Sequence, residues 1–450
     1  MVSPASSRQG SFVSLTPTRR ALLALALGGF GIGTGEFVTL GLLPNMATSL
    51  HVSIPRAGEL ISGYALGVVV GAPLLTGAAV RLPRKGLLIS IALLLAVGNF
   101  ASATMPGFTS LLVLRFLIGL PHGAYFGVAS VLAGNLVAAH KRSSAMAVVF
   151  AGLTMANVIG VPLTTLIGQH SSWRICFLLV GVIELLTAGC VAAVVPIGQA
   201  DAAGNAPKLR HELRAFRESQ IWLSLAIAMV GGAGLFASFS YIAPMMTHLA
   251  GFPSGAITPL LVLFGLGMTG GNLVGARLAD RALMRTIYVA MSAEAVVAAI
   301  FFFSARNEVT AAVTIFLFPF CALAILPALQ SRIVTLAGGA PNLAAASIHA
   351  AFNIANSLGA WLGGITIAAG LGYGAANLVA AGLAALGLGI ALISGGLERH
   401  AVPPPARPLG GRGAVPESEP SSERVQRQPG RHPIEPVGCR RPDPRPLPHP

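Results

Sequence analysis

Twelve times along this chain, about 20 mostly apolar residues run together with almost no charge among them. A helix of about that length crosses a hydrocarbon core roughly 30 Å thick. No water is available there to satisfy backbone N–H and C=O groups, so each block must bond its own backbone as a helix. The pattern dictates an all-α membrane protein. Charged residues form only 10% of the 450, against about 25% in soluble domains. A soluble enzyme, a collagen-like fibre and a fully disordered chain are excluded together.

Windows of about 19 residues place the spans at 21–43, 57–79, 86–105, 109–135, 144–168, 174–195, 221–245, 254–276, 286–304, 309–331, 343–369 and 374–395. Arg19 and Arg20 precede the first span as in a signal peptide, but the block is too long for one and reads as an uncleaved helix. One set of connecting segments carries Arg8, Arg19, Arg20, Arg81, Arg84, Lys85, Lys141, Arg142, Lys208, Arg210, Arg214, Arg217, Arg277, Arg281, Arg285 and Arg332. The alternate set carries Arg56, Arg174 and Arg306. The positive-inside rule then puts both termini and the central loop in the cytoplasm, on a multi-pass protein of the inner or plasma membrane. The net charge of +14 follows from that orientation, and no nucleic-acid partner is expected.

Residues 196–220 are polar and begin with Pro196, which reads as a linker with one short surface helix. The expected organisation is a cytoplasmic segment 1–20, a six-helix bundle 21–195, the linker 196–220, a second bundle 221–396 and a tail 397–450. The tail holds fourteen of the 31 prolines and is expected to be disordered. Cys176, Cys190, Cys321 and Cys439 have no CxxC spacing, so neither a disulfide framework nor a zinc site is expected from them.

The two halves overlay at an offset of about 200. Gly67, Gly71, Ala79, Arg81 and Lys85 then meet Gly267, Gly271, Ala279, Arg281 and Arg285; Gly31, Pro44 and Met46 meet Gly231, Pro244 and Met246. At 199, Ala156-Asn157-x-x-Gly160 meets Ala355-Asn356-x-x-Gly359. A shift of six spans preserves orientation, so the expected fold is twelve transmembrane helices in two parallel six-helix repeats, with the substrate site between them.

A charge within a bilayer costs at least ~2.5–3.5 kcal/mol. Glu36, Arg115, Glu184 and Glu294 fall inside spans, and Glu59 near the end of one. A carboxyl group in a low-dielectric cavity can take up and release protons near neutral pH, and a nearby guanidinium tunes that exchange. Glu36 and Arg115 are therefore the expected proton-coupling pair. A static ion pair fixing helix packing is the alternative.

Several stretches resemble the major facilitator superfamily, in particular its twelve-span drug:proton antiporters of the arabinose-efflux-permease and chloramphenicol-efflux type. They are Gly33-Thr34-Gly35-Glu36-Phe37-Val38 with Gly41-Leu42-Leu43-Pro44, the run from Arg115 to Gly123, the run from Ala156 to Leu163, Ser172-Trp173-Arg174, and Phe352-Asn353-Ile354-Ala355-Asn356. The resemblance covers roughly residues 20–395. It implies that Arg115 and Gly119 form the fourth-helix motif, and that Gly160 and Pro162 loosely match the fifth-helix antiporter motif. The loop Arg81-Leu82-Pro83-Arg84-Lys85 lacks the family's aspartate, which the second-half loop has as Asp280. Gating is thus expected from Arg81, Arg84, Asp280, Arg281 and Arg285. The resemblance also places the first, fourth, seventh and tenth helices at the central cavity. Glu36 and Arg115 then face inward, while Glu184 and Glu294 are peripheral.

Candidate substrate contacts are Phe37, Tyr125, Phe239, Tyr241, Met245, Asn353 and Asn356, whose aromatic, thioether and amide groups suit an apolar solute with a few polar atoms. For each of them packing is the favoured reading. His122, beside Pro121 and Gly123, is either a titrating group or a structural hydrogen-bonder. With no P-loop and no HExxH or GxSxG motif, the expectation is a secondary transporter needing no cofactor. Its partners are a small solute, protons and the bilayer, and a monomer suffices. An importer or passive facilitator is the rival in transport, and a non-transporting receptor the rival outside it.

Overall fold

The computed structural model describes residues 16–79, 83–138, 141–196, 217–337 and 341–401. Arg81, most of the linker with its expected surface helix, and the Pro-rich tail with Cys439 lie outside the described residues.

The helices begin where the sequence supplies caps. Thr16 accepts the Arg19 N–H ahead of Pro17 at the start of α1 (Pro17–Ser49), and Asn307 caps α11 (Glu308–Leu323) by accepting from Val309 and Thr310. The first six spans are α1, α2 (Ile54–Ala79), α3 (Arg84–Thr104), α4 (Phe108–Asn135), the pair α5 (Arg142–Met155) and α6 (Val161–His170), and α7 (Trp173–Val194). A π-turn, Ala156–Gly160, joins α5 to α6. The last six are α8 (Ser219–Phe239) with the short α9 (Ile242–His248), the two arms of α10 (Ile257–Ser304), α11 with α12 (Ile325–Ala337), α13 (Pro341–Ala368) and α14 (Ala375–Ala401).

Nine stretches among the described residues are long and apolar enough to cross a membrane. One of these, Ser254–Ser304, contains two spans joined at Ala282, where φ −157° and ψ 82° break the helix. With α2 and α13 the bundle has twelve spans. Its outer face is apolar: Leu94, Val97, Leu186, Val289, Phe303 and Leu386 are all exposed, as lipid contact requires.

Glycines set the closest helix contacts, and the repeat predicts where they fall. A Cβ on Gly67 would strike the Phe116 carbonyl, and one on Gly71 the Leu120 carbonyl, so α2 and α4 pack backbone to backbone. In the second half Gly267 and Gly271 stand in the same way against the Phe316 and Phe320 carbonyls, between α10 and α11.

The apolar cores are distributed unevenly along the bundle axis. Toward the Arg19 end, each half has its own core, one around Leu25, Tyr125 and Leu132 and the other around Ile227, Leu329 and Ile348. Toward the other end one core unites Phe37, Leu40, Leu43 and Ile61 with Phe236, Phe239, Tyr241 and Phe264 across the two halves, beside a smaller first-half core around Leu42, Met46 and Phe177.

Two cations counted as loop charges do structural work. Arg332 lies inside α12, only 4% exposed, because that helix runs on past the apolar block to Ala337. Its guanidinium donates to Ser224 Oγ, Gln220 Oε1 and Ser394 Oγ and pairs with Glu398 at 3.1 Å, tying α8, α12 and α14 together. Lys85 caps α7 by donating to the Ala192 and Val195 carbonyls.

Candidate functional site

Where the two halves meet, α13 presents His349, Asn353 and Asn356 at helical spacings of four and three, which puts them on one face. Opposite stand Glu36 on α1 and His122 on α4. Asn356 Nδ2 donates to Glu36 Oε1 at 3.1 Å. The Nε2 atoms of His122 and His349 lie 3.3 Å apart, and Tyr64 Oη lies 3.1 Å from His122 Nδ1. Two further bonds join α2 to α13: Ser62 Oγ donates to the Ser357 carbonyl, and Ser357 Oγ to the Ser62 carbonyl.

Glu36 and Arg115, expected as a proton-coupling pair, form no ion pair within 4.0 Å in this structure. Arg115, fully buried, instead donates to the carbonyls of Gly35 at 2.7 Å and Glu36 at 3.0 Å, with Leu60 at the 3.5 Å limit. Its guanidinium stacks on the Tyr64 ring, 4.2 Å from the centroid. A helix carbonyl has a second lone pair available, so an arginine reaching α1 from α4 can bond the backbone while the Glu36 side chain reaches α13. Arg115 fastens α1 to α4 and α2, and the carboxyl group is held by an amide from the other half.

The remaining candidates divide into two groups. Phe37 stacks on Phe236 at 6.5 Å and contacts Phe239 at 6.0 Å, and Phe239 stacks on Phe264 at 4.1 Å, forming an aromatic seam between the halves. Asn353 is buried, with Nδ2 bonded to the His349 carbonyl and Oδ1 without a partner. Tyr125, by contrast, is fully buried in the first-half core and donates to the Leu25 carbonyl. Tyr241 donates to the Ala360 carbonyl, and Met245 Sδ accepts from Asn377. These three are packed into the helix framework in this structure.

The motif residues act through backbone proximity. Gly119 faces the Tyr64 carbonyl on α2, Gly160 ends the π-turn against Thr34, and Pro162 occupies the first turn of α6. Asp280, Arg281 and Arg285 are exposed around the Ala282 break, and Arg84 is half-buried at the start of α3. Among the described residues the pair within 4.0 Å is Arg332–Glu398, so Asp280 forms no ion pair with Arg281 or Arg285 in this conformation.

Glu184 and Glu294 are fully buried, and none of their four oxygens has a hydrogen-bond partner. Each packs on a glycine of the first helix in its own half, Glu184 on Gly31 of α1 and Glu294 on Gly234 of α8.

Residues 25–363 match the family model of the Major Facilitator Superfamily. The chain belongs to that superfamily. It is 38% identical over 373 residues to the inner membrane transport protein YdhP of Escherichia coli (strain K12), covering 83% of this chain and 95% of that one. It is 34% identical over 358 residues to the chloramphenicol resistance protein of Streptomyces lividans, covering 79% of this chain and 90% of that one. The crystal structure of a bacterial homologue of the human lysosomal transporter Spinster shares the fold, with a TM-score of 0.68 at 16% identity, over 85% of this chain and 97% of that one. The protein is thus a multi-pass membrane transporter of the major facilitator superfamily, with a small molecule as its cargo. In a superfamily built from two repeats, the face where those repeats meet is the place to look for coupling. His349 and Tyr64 are the members of that face that residue type alone does not reveal; the spacing from His349 to Asn353 and Asn356 is the signal that finds the first of them.

Proposed function

We propose that this protein exports a small drug-like or sugar-like solute in exchange for protons, by alternating access between its two six-helix halves. Both termini would lie on the cytoplasmic side of the inner or plasma membrane. The observation that carries the reading is the Glu36–Asn356 hydrogen bond between the halves.

An ionised Glu36 can only accept hydrogen bonds. It then takes one from Asn356 Nδ2 and leaves Asn356 Oδ1, buried and without a partner. A proton on Glu36 supplies an O–H donor for that oxygen, so the carboxylic acid and the amide match at two points. Protonation therefore tightens the contact at the end of the bundle where the halves share a core, and proton loss weakens it. By the positive-inside count that end faces away from the cytoplasm. A proton taken from outside favours closure on the outside; its release inside frees the protein to bind solute and open outward. The chloramphenicol resistance protein among the relatives agrees with a drug-like cargo, and opening would uncover apolar surface next to the latch from the buried aromatic seam Phe37, Phe236, Phe239 and Phe264.

The test uses liposomes holding a pH-sensitive dye, challenged with amphenicols, cationic dyes and pentoses. Solute-dependent proton flux that disappears in Glu36→Gln supports antiport. Solute flux without proton movement, unchanged in Glu36→Gln, replaces it with a facilitator.

A further inference from the structure

His122 and His349 meet across the two halves and are not needed by the Glu36 latch. Their Nε2 atoms are 3.3 Å apart. That separation suits one hydrogen bond, in which one ring carries the Nε2 proton and the other does not. It also matches another geometry. Two nitrogens held tetrahedrally at 2.0–2.1 Å from a zinc ion stand ~3.3–3.4 Å from each other. We propose that this pair is a regulatory site for a divalent transition-metal ion of the zinc type, which bridges α4 to α13 and clamps the halves in the conformation described here.

Three features of the surroundings favour such an ion. Ligation by Nε2 requires His122 to carry its proton on Nδ1, and Tyr64 Oη stands 3.1 Å from that nitrogen as an acceptor. A partner on the far nitrogen is what fixes the tautomer and ring orientation of metal-binding histidines. Second, Phe126 flanks both imidazoles, with ring centroids 5.4 Å from His122 and 5.3 Å from His349, and Phe150 lies 6.2 Å from His349. These apolar walls hold the rings in place. Third, His122 is fully buried whereas His349 is partly exposed, which leaves an approach from the α13 side.

Among the described residues no group of three His, Cys, Asp or Glu is placed to hold a metal. The pair would therefore be a two-ligand site, with water filling the remaining positions. That suits an ion that comes and goes, not one built in for folding. Because the ligands belong to different halves, the ion binds only while they are together. It stabilises that conformation by mass action and opposes alternation.

The proposal is independent of proton coupling and is tested without transport. The purified full-length chain is titrated calorimetrically with Zn2+, and its Cu2+ complex is examined by electron paramagnetic resonance. One zinc ion per chain is expected to lose at least about ten-fold in affinity in either His122→Asn or His349→Asn, with Tyr64→Phe showing a loss toward the lower end of the 10–100-fold range for partners of metal ligands. Zinc should raise the melting temperature of the wild type more than that of either variant. The Cu2+ spectrum should show coupling to two equivalent nitrogens. Zinc isotherms identical in the wild type and both histidine variants would overturn the site. Should the variants fail to fold, the wild-type Cu2+ spectrum decides alone: absence of the two-nitrogen pattern rejects the site.

Discussion

The latch between Glu36 and Asn356 has a counterpart generated by the repeat; both keep a buried asparagine with an unpartnered Oδ1, and they differ in what its Nδ2 bonds. Glu36 maps to Phe236 and Asn356 to Asn157. At the counterpart position Phe236 stacks on Phe37, while Asn157 Nδ2 turns back to the Leu153 carbonyl and its Oδ1 has no partner. The backbone differs as well. Ala-Asn-x-x-Gly is a π-turn in the first half and part of the continuous α13 in the second. The glycine of each copy still brings its helix against the first helix of its half: Gly160 against Thr34, Gly359 against the Ala233 carbonyl. Duplication therefore preserved the packing frame, and substitution within that frame placed a carboxyl–amide pair on one side of the pseudo-symmetry axis only.

The largest effect that can break this comparison is expected at Arg115. Arg115→Ala leaves the α1 carbonyls without their buried donor and opens a void over Tyr64. A loss of about 3 kcal/mol or more in stability follows from two well-formed hydrogen bonds to a charged group, read as a lowered melting temperature. Arg115→Lys should recover only part of it, since an ammonium cannot reproduce the fork.

Next come the shared glycines. Gly71→Ala and Gly271→Ala each push a methyl group into a carbonyl of the neighbouring helix, costing about 1–3 kcal/mol by overpacking. Similar melting-temperature losses would support equivalent frames; a large loss in only one half would refute that.

The latch and its counterpart should then separate clearly. Asn356→Ala strands Glu36 and is expected to weaken closure by about 1–3 kcal/mol. Asn157→Ala loses one local bond and should change closure by about 0.5 kcal/mol or less, within the range of ordinary substitutions. Labelling of a cysteine placed at Ala47, buried in the core the halves share, reports both, and equal labelling in the two variants would erase the distinction.

The smallest effect is expected from Glu184→Gln and Glu294→Gln. The amide has nearly the same shape and replaces a carboxyl group whose oxygens bond nothing, so no hydrogen bond is lost and the shift in stability is expected to stay below about 0.5 kcal/mol, the lower end for one net hydrogen bond. A shift of several degrees in melting temperature would show that one of them is charged in the folded protein.

The spans and their repeat were legible because helix length and glycine spacing are local properties of the chain. Glu36, Arg115 and Asn356 were also recognisable, the first two as charges inside apolar blocks. Their pairing was not. Coulomb attraction suggests Glu36 with Arg115, and only the three-dimensional path of α13, 320 residues away in sequence, supplies the amide that takes the carboxyl group. Arg332 shows the converse: a cation at the edge of an apolar block reads as a loop charge, yet one more helical turn carries it to a buried set of partners.

The contact between Ser62 and Ser357 bears on how the bundle opens. Each hydroxyl donates to the carbonyl of the other residue, on side chains one carbon long. Neither bond can stretch or swing while its neighbour holds. A slide of α2 past α13 by a single residue rise, about 1.5 Å, breaks both together, so half-open arrangements gain nothing at this point. Opening there is expected to be a cooperative step, which single-molecule recordings should show as abrupt dwells between two levels with no ramp.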